Sequence, residues 1–537
     1  MKFLTLAGAG AGKTRSLVNE VKSILPNLAE TPYRFCAVIT YTKAATEVIR
    51  RRLAQQVPIP NNVFIGTTHS FFIRFIIEPY AHLLKIRQKD GTYTIIAPHQ
   101  RSYIDCIDLP ESYAKWFKGK FPNPKERNIK MNGAISNIIK SLCEKGHITY
   151  DKILHLSKQI LESRKVRELV SQRLNYVFID EYQDITESQH RLFQLIYDVG
   201  NTHFSYIGDP LQSIFKFTYA QNQIPNQPRP KSFNDSPILQ LTKHKDAKLK
   251  YIYENHRSSE EIVELTNNFT SSVSEFKQKS VRGKLNLPVV FIQNNLLSNI
   301  IQIFEMQIGI NNITPENKRI FKLLLAHSFK PEEFSKAVQS QQVEQLDYEN
   351  LSINNQIREV AKCIQGVLGM KKKDILEKLP YTNEFEKVLE YRSFCLNTLQ
   401  GIKKEQISDL AEYAKSEMTN KYGYSSPDWG VTSYQSIDMQ SSIKSLAKSA
   451  KRKNTDKYYS TIHKAKGLEA TCVLVCAKSA KELEKWLDYE KAEENDDDYR
   501  LGYVAFSRAR NFLCISCLEK PSLKTQKMIQ ELNFKIV

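Results

Sequence analysis

The chain has 537 residues, 41% hydrophobic and 25% charged, a composition ordinary for a soluble globular protein with room for about three or four domains. Its 77 basic against 58 acidic residues leave a formal charge of +19, which points to a polyanionic partner, nucleic acid first, with a solubilising basic surface as the bland alternative. Nine scattered cysteines argue against a secreted disulfide framework, and neither an apolar leader nor a membrane-length apolar run is visible, so a cytoplasmic setting with no membrane partner is expected.

In chain order, "FLTL" from Phe3 predicts a buried strand, and "AGAGAGKT" from Ala7 to Thr14 a glycine turn opening a helix at Arg15. Strand, glycine turn and helix form the context of a phosphate loop: Gly8, Gly10 and Gly12 allow backbone N–H groups to face an anion. Lys13 then reaches β and γ phosphates and the Thr14 hydroxyl a Mg²⁺ ion. "FCAVITY" from Phe35 predicts a second strand, and "KAATEVIRRRLAQQ" from Lys43 a helix. Residues 75–170 turn lysine-rich and apolar at helical spacing, the pattern of an inserted helical subdomain. "NYVFIDEYQD" from Asn175 and "HFSYIGDP" from His203 predict strands, and Pro225, Pro228 and Pro230 a crossover. "RIFKLLLAH" at 319–327, "ATCVLVCA" at 470–477 and "FLCISCL" at 512–518 predict further strands. The CxxC at Cys514 and Cys517 and the CxxxC at Cys472 and Cys476 fall in such segments, which favours core thiols over a metal site.

A phosphate loop needs a metal-holding carboxylate on a neighbouring strand. Asp180 at the end of "VFID" supplies it, and Glu181 beside it can activate the attacking water. Taken alone, such a pair also suits a helix N-terminus favoured by the macrodipole, the lesser of the two readings. Phosphoryl transfer also needs cations on the γ phosphate, and Arg257 in "ENHRSS" and Arg508 in "AFSRAR" are candidates, although an isolated arginine usually serves a surface ion pair.

Together these segments resemble, in order and over nearly the whole chain, the UvrD/Rep-type DNA helicases of superfamily 1. The phosphate loop, "ITYTKAATEV", "GTTHSF", "IDEYQD", "IGDPLQSIFKF", "ENHRSS", "STIHKAKGLEA" and "YVAFSRAR" look like that family's successive motifs. The resemblance implies an α/β fold with two RecA-like P-loop NTPase domains, each carrying a mainly helical insertion. The expected domains are 1–74 with 171–235, insertion 75–170, then 236–335 with 456–537, insertion 336–455. It implies ATP and Mg²⁺ as cofactors and hydrolysis coupled to 3′ to 5′ movement on single-stranded or partly duplex DNA. Glu181, Gln212, Arg257 and Arg508 are then catalytic. Ala9, Gly10, Ala11, Gly12, Lys13, Thr14, Arg15, His256 and Glu469 bind nucleotide, Thr14 and Asp180 the metal, and Thr42, His69, Phe217 and His463 DNA. For Phe217 an ordinary core position remains the competing assignment.

The chain departs from the pattern in several places. His256 stands where a tyrosine usually packs on the adenine, Phe217 where a tryptophan is common, and Thr68 where an aromatic is frequent. Only six residues precede Ala7, so the family's adenine-reading glutamine segment is expected to be missing; 29 residues follow Arg508, too few for a nuclease domain. "FIGTTHSFFIRFIIEP" at 64–79, with the compact size, is similar to the helicase-like subunit of the Gabija anti-phage system, which implies a TOPRIM-containing nuclease partner. The competing function is thus a nucleotide- and DNA-end-sensing subunit that regulates a nuclease with little unwinding of its own. A small-substrate P-loop kinase is a third, which leaves the later motifs unexplained. Basic clusters at Lys371–Lys373 and between Lys448 and Lys457 suit a strand path or a solvated helix face equally.

Overall fold

The computed structural model describes residues 2–86, 93–96, 140, 143–144, 146–214, 233–270, 276–313, 320–329, 344–345, 360–361, 364–365, 368, 372–379, 384–403, 410–420, 457–494 and 496–537. Phe217, Lys371 and the basic cluster from Lys448 up to Asp456 lie outside them, as do the side chains of Lys372 and Lys373. The chain divides into two compact units, residues 1–329 with 461–537, and residues 330–460.

The larger unit contains two parallel sheets. The first is built from β1 (Lys2–Ala7), β2 (Phe35–Thr40), β3 (Val63–Thr67), β4 (Leu174–Ile179), β5 (His203–Gly208) and β6 (Ala247–Ile252), in spatial order β3-β2-β4-β5-β1-β6. β1 and β2 are almost wholly buried, and β4 is buried at Leu174 and from Val177 to Ile179, as strands covered by helices on both faces require. One face is covered by helices α1 (Lys13–Ala29) and α2 (Lys43–Ala54), whose Leu17, Val18, Val21, Leu28, Ile49 and Leu53 pack on Cys36, Val38, Val63, Ile65, Phe178 and Ile207. Elsewhere Phe71, Phe72 and Phe75 cluster with Phe193 of helix α3 (Glu187–Tyr197), ring centroids 5.1–5.6 Å apart. A capping box of Thr186 and Gln189 starts α3.

Two features depart from the sequence-based division. β6, which falls past the expected boundary at 236, pairs with β1 from Lys2↔Ala247 to Ala7↔Ile252 and so completes the first sheet. Phe75, expected to open the helical insertion, lies in a single π-helical turn, Ile73–Ile77, 1% exposed and packed edge-on against Phe35 and Phe64. Aromatic burial continues through the supposed junction, and the first α/β block extends with it.

The second sheet of this unit comprises β7 (Val290–Gln293), β8 (Lys322–Ala326), β9 (Ala470–Ala477), β10 (Ala509–Cys517) and β11 (Lys535–Ile536), in order β8-β9-β10-β7-β11 and parallel throughout. Every residue of β9 is buried, and Cys472, Cys476, Cys514 and Cys517 are core thiols, at most 3% exposed. The smaller unit has a helical core in which Tyr391, Phe394, Cys395 and Leu399 of the helix Glu384–Lys403 pack with Ala414 and Met418 of the helix Leu410–Asn420. No described helix is long and apolar enough to cross a membrane.

Candidate functional site

In an open parallel sheet, ligands bind beyond the carboxyl ends of the strands. The first sheet collects its chemistry-bearing residues there: the glycine turn after β1, Thr42 after β2, Asp180 and Glu181 after β4, and Asp209 and Gln212 after β5. The second sheet meets them with its amino edge, because Glu469 directly precedes β9 and Arg508 directly precedes β10.

The turn after β1 has Gly10 and Gly12 at φ +75° and +78°, and Gly12 forms the N-cap of α1. A Cβ on Gly10 would lie 2.6 Å from Asn255 Oδ1 and 2.7 Å from Arg257 Cβ, so the backbone there can be approached only because it is bare. Ala9 and Ala11 are buried, Thr14 is half-buried and Arg15 exposed. Lys13 folds back on the loop, its Nζ donating to the carbonyls of Ala7 at 3.2 Å and Gly8 at 3.3 Å. The loop is held from outside as well: Asn255 Nδ2 donates to Ala9 O (2.8 Å), His256 N to Gly10 O (3.0 Å) and Ala9 N to Tyr503 Oη (3.1 Å).

Behind the loop stand three acids, Asp180 and Asp184 buried and Glu181 half-buried. Burial, then the charge of Glu181, push the Asp180 carboxyl up to about 7 against the pull of Lys13. Glu181 resists the same burial: Lys13, Lys466, the amide of Gln183 at 2.6 Å and Arg508 together hold it below its ordinary value. Its backbone sits at φ +51°, a left-handed conformation that a side chain adopts only at a cost and that recurs at functional sites. Burial raises Asp184 to about 6 although Lys466 Nζ donates to both its oxygens, at 2.8 and 2.6 Å, and to Gln212 O at 2.7 Å. Neighbouring carboxyls with opposed shifts divide into an ionised base and a group that a cation would deprotonate.

Arg508 is 1% exposed. Burial, then the charge of Arg257, bring its pKa down to about 9. It donates to Val504 O at 2.9 Å, Ser507 Oγ at 2.9 Å and, more loosely, to Gln212 Oε1 at 3.5 Å. Gln212 Nε2 in turn donates to Asp209 Oδ2 at 2.6 Å, which also accepts from Tyr503 Oη at 2.9 Å. Arg257 is held by Glu469 through Nε (2.9 Å) and by Ser507 O through Nη1 (3.0 Å), and Glu469 also binds Arg510. Lys13, Glu181, Gln212, Arg257 and Arg508, far apart in the chain, thus surround one cleft edge. His256 is an exposed neighbour of the loop, with its ring nitrogen 3.1 Å from Glu254.

The residues expected to touch DNA are placed less uniformly. Thr42 is exposed, but its hydroxyl accepts from Ala45 N (3.1 Å) as the N-cap of α2. His463 Nε2 lies 3.1 Å from Ile214 O. His69 is 7% exposed, its ring stacked on Tyr150 at 4.0 Å and its pKa pushed down to about 4 by burial, so it offers no open face to a base.

Asp209, Asn255, Lys466 and Tyr503 were not singled out in the sequence. "GDP" after a strand and the "KAK" of 464–466 were the available signals; for Asn255 and Tyr503 only the structure supplies one. For a bound Mg-nucleotide the donor set fits. Carbonyl-bonded Lys13 is free to exchange partners, and Asp180, raised by burial and by Glu181, would ionise beside a cation. Among the described residues no three His, Cys, Asp or Glu groups form a metal cage; Mg²⁺ held by a carboxylate, a hydroxyl and phosphates does not need one.

Comparison with known proteins agrees. Residues 1–106 and 108–232 match the UvrD/REP helicase N-terminal domain, and residues 275–520 the UvrD-like helicase C-terminal domain. The chain is similar to the ATP-dependent DNA helicase Rep of Buchnera aphidicola subsp. Acyrthosiphon pisum (24% identical, 54% of this chain, 47% of that one). It is also similar to the putative ATP-dependent DNA helicase YjcD of Bacillus subtilis (24%, 96% and 76%) and to PcrA of Staphylococcus epidermidis (25%, 52% and 39%). The matches to Rep and PcrA thus span less than half the length of those relatives.

Proposed function

Because this chain belongs to the UvrD/REP helicase family, we propose that it hydrolyses ATP with Mg²⁺ in a DNA-dependent manner and moves 3′ to 5′ along single-stranded DNA. The observation that carries the proposal is Arg508, a buried cation from the second sheet whose guanidinium reaches Gln212 of the first. No packing need explains a charge there; a γ phosphate between the sheets does.

In this reading the loop backbone between Ala9 and Thr14 and the Lys13 ammonium hold the phosphates, Arg15 and His256 flank the base and ribose, and Thr14 and Asp180 hold Mg²⁺. The metal, when bound, neutralises phosphate charge. Glu181, kept ionised by its cationic neighbours, orients and deprotonates water. Arg257, aimed by Glu469, and Arg508 meet the charge that develops on the transferred group. Gln212 joins that charge to Asp209 and Tyr503, so occupancy at one sheet edge is felt at the other. Thr42 and His463 contact the DNA strand, and Phe217 is the aromatic that the resemblance assigns to the same role.

The test is Glu181→Gln: turnover falls about 10²- to 10⁴-fold, the usual share of a general base, while affinity for Mg-ATP persists. Turnover near wild type would remove Glu181 from the chemistry. A nuclease-regulating subunit in anti-phage defence, with a TOPRIM partner, remains the second reading. The stretch at 64–79 that suggested it is spent on packing, with Phe71, Phe72, Phe75, Ile76 and Ile77 at most 1% exposed. Purification with a neighbouring gene product and a strand-displacement assay on the chain alone separate the two.

A further inference from the structure

Gln278 is 7% exposed and lies against the phosphate loop: a Cβ on Gly8 would fall 2.6 Å from its Cδ and Oε1 and 3.0 Å from its Nε2. Its backbone is fixed by Asn267, which donates from Nδ2 to Gln278 O (2.9 Å) and accepts from Gln278 N at Oδ1 (2.9 Å). The next residues, Lys279 and Ser280, pair with Glu254 and Asn255 in a short parallel ribbon, so Gln278 is held by a rigid element.

The orientation of its amide is set by a chain of hydrogen bonds. Asn255 Oδ1 accepts from the backbone N–H groups of Arg257 (2.9 Å) and Ser258 (3.0 Å), which leaves Asn255 Nδ2 as the donor toward Ala9 O (2.8 Å) and Gln278 Oε1 (3.3 Å). The oxygen of the Gln278 amide is therefore the atom that accepts from Asn255, which leaves its nitrogen as the open donor, 3.0 Å from the Cβ position of Gly8. That nitrogen is buried and has no partner. A buried donor left unpaired is costly, and this one lies beside Gly8, whose carbonyl now accepts from the Lys13 ammonium.

We propose that Gln278 is a positioning residue for nucleotide binding: when Lys13 leaves the Gly8 carbonyl for a phosphate, Gln278 Nε2 becomes the donor to that carbonyl. The Gln278 N–H then gains an acceptor, and the Gly8 carbonyl, which keeps its bond from Ala11 N (3.3 Å), exchanges its second donor, the Lys13 ammonium, for the amide. This inference rests on the nucleotide-binding reading above but concerns a residue outside the groups that touch nucleotide.

The experiment compares wild type with Gln278→Met and Gln278→Glu. Gln278→Met keeps the length and removes the donor together with the 3.3 Å bond from Asn255, whose Nδ2 keeps its shorter bond to Ala9 O. Gln278→Glu replaces the donor by an acceptor and keeps the oxygen toward Asn255. Affinity for a fluorescent ATP analogue with Mg²⁺ is measured together with Tm in the absence of nucleotide. Gln278→Met is expected to keep or raise the nucleotide-free Tm, since it removes an unsatisfied group, and to weaken the analogue about five- to tenfold, the loss of one hydrogen bond. Gln278→Glu weakens it further. Unchanged affinity in both variants, or a loss matched by a fall in the nucleotide-free Tm, would overturn the proposal. If wild type itself binds no analogue, the nucleotide-binding reading falls first and this one with it.

Discussion

Lys466→Met breaks the most buried ion pair that crosses from one sheet to the other among the described residues. Its Nζ gives three hydrogen bonds, two to Asp184 and one to Gln212 O, and the two side chains are 8% and 2% exposed. Removing one partner of a buried pair costs about 3 to 5 kcal/mol when the other keeps its charge. Here Asp184 has an alternative, because its pKa is already about 6 with Lys466 in place. Without the ammonium the carboxyl is pushed higher still and protonates more readily, so the loss falls at the lower end, about 3 kcal/mol near pH 8. Below about pH 6 the carboxyl is protonated in the folded wild type too, so the coupling is present above that value and lost as pH falls through it. The assay is a double-mutant cycle of Lys466→Met and Asp184→Asn read by Tm at pH 8 and pH 5. At roughly 2 °C per kcal/mol for a large domain, Lys466→Met lowers Tm by about 6 °C at pH 8. The coupling with Asp184→Asn shrinks toward zero at pH 5. Equal coupling at both pH values would refute the assignment of the pair as ionic.

Asp180, raised to about 7 by burial and by Glu181, must lose its proton to hold Mg²⁺. Affinity for the Mg-nucleotide is expected to rise up to tenfold per unit as pH approaches 7 and to level off above; an affinity independent of pH would exclude Asp180 as ligand. The same shift makes the folded, nucleotide-free chain bind more protons than the unfolded one between about pH 4 and 7, so stability falls as pH rises through that window. Asp180→Asn therefore raises Tm at pH 8, and the gain shrinks as pH falls toward 4. Tyr503→Phe strands Ala9 N–H in a buried position and takes a donor from Asp209. A loss of about 1 to 3 kcal/mol in thermal or urea unfolding is expected. Gly10→Ala places a Cβ 2.6 Å from Asn255 Oδ1 at positive φ, and titration should find nucleotide affinity lowered at least tenfold.

The strands were legible where burial on both faces wrote them as continuous apolar runs, as in "FCAVIT", "VFI" and "ATCVLVCA", and the phosphate loop where its glycines and Lys13 follow one. β6 was not legible as a partner of β1, because "AKLKYI" exposes Lys248 and Lys250 and reads as an edge. At the boundary expected near 74 a π-helical turn carries Phe75 into the core, a feature that no change in composition announces. Glu181, Arg257 and Arg508 stood out because their chemistry is scarce and framed by turns. Tyr503, Asn255 and Gln278 did not, since their roles depend on bonds to Ala9 or to one another that no local pattern encodes. His69 shows the converse: its position in the motif was clear, and its stacking on Tyr150 was not.

The most direct measurement is steady-state ATP hydrolysis by the full chain with and without single-stranded DNA, with Lys13→Ala as the blank. Turnover stimulated at least tenfold by DNA and abolished in Lys13→Ala is the expected result for a cleft closed between two sheets by a bound strand. Turnover that ignores DNA, or that survives the loss of Lys13, would contradict a DNA-coupled motor built on this loop.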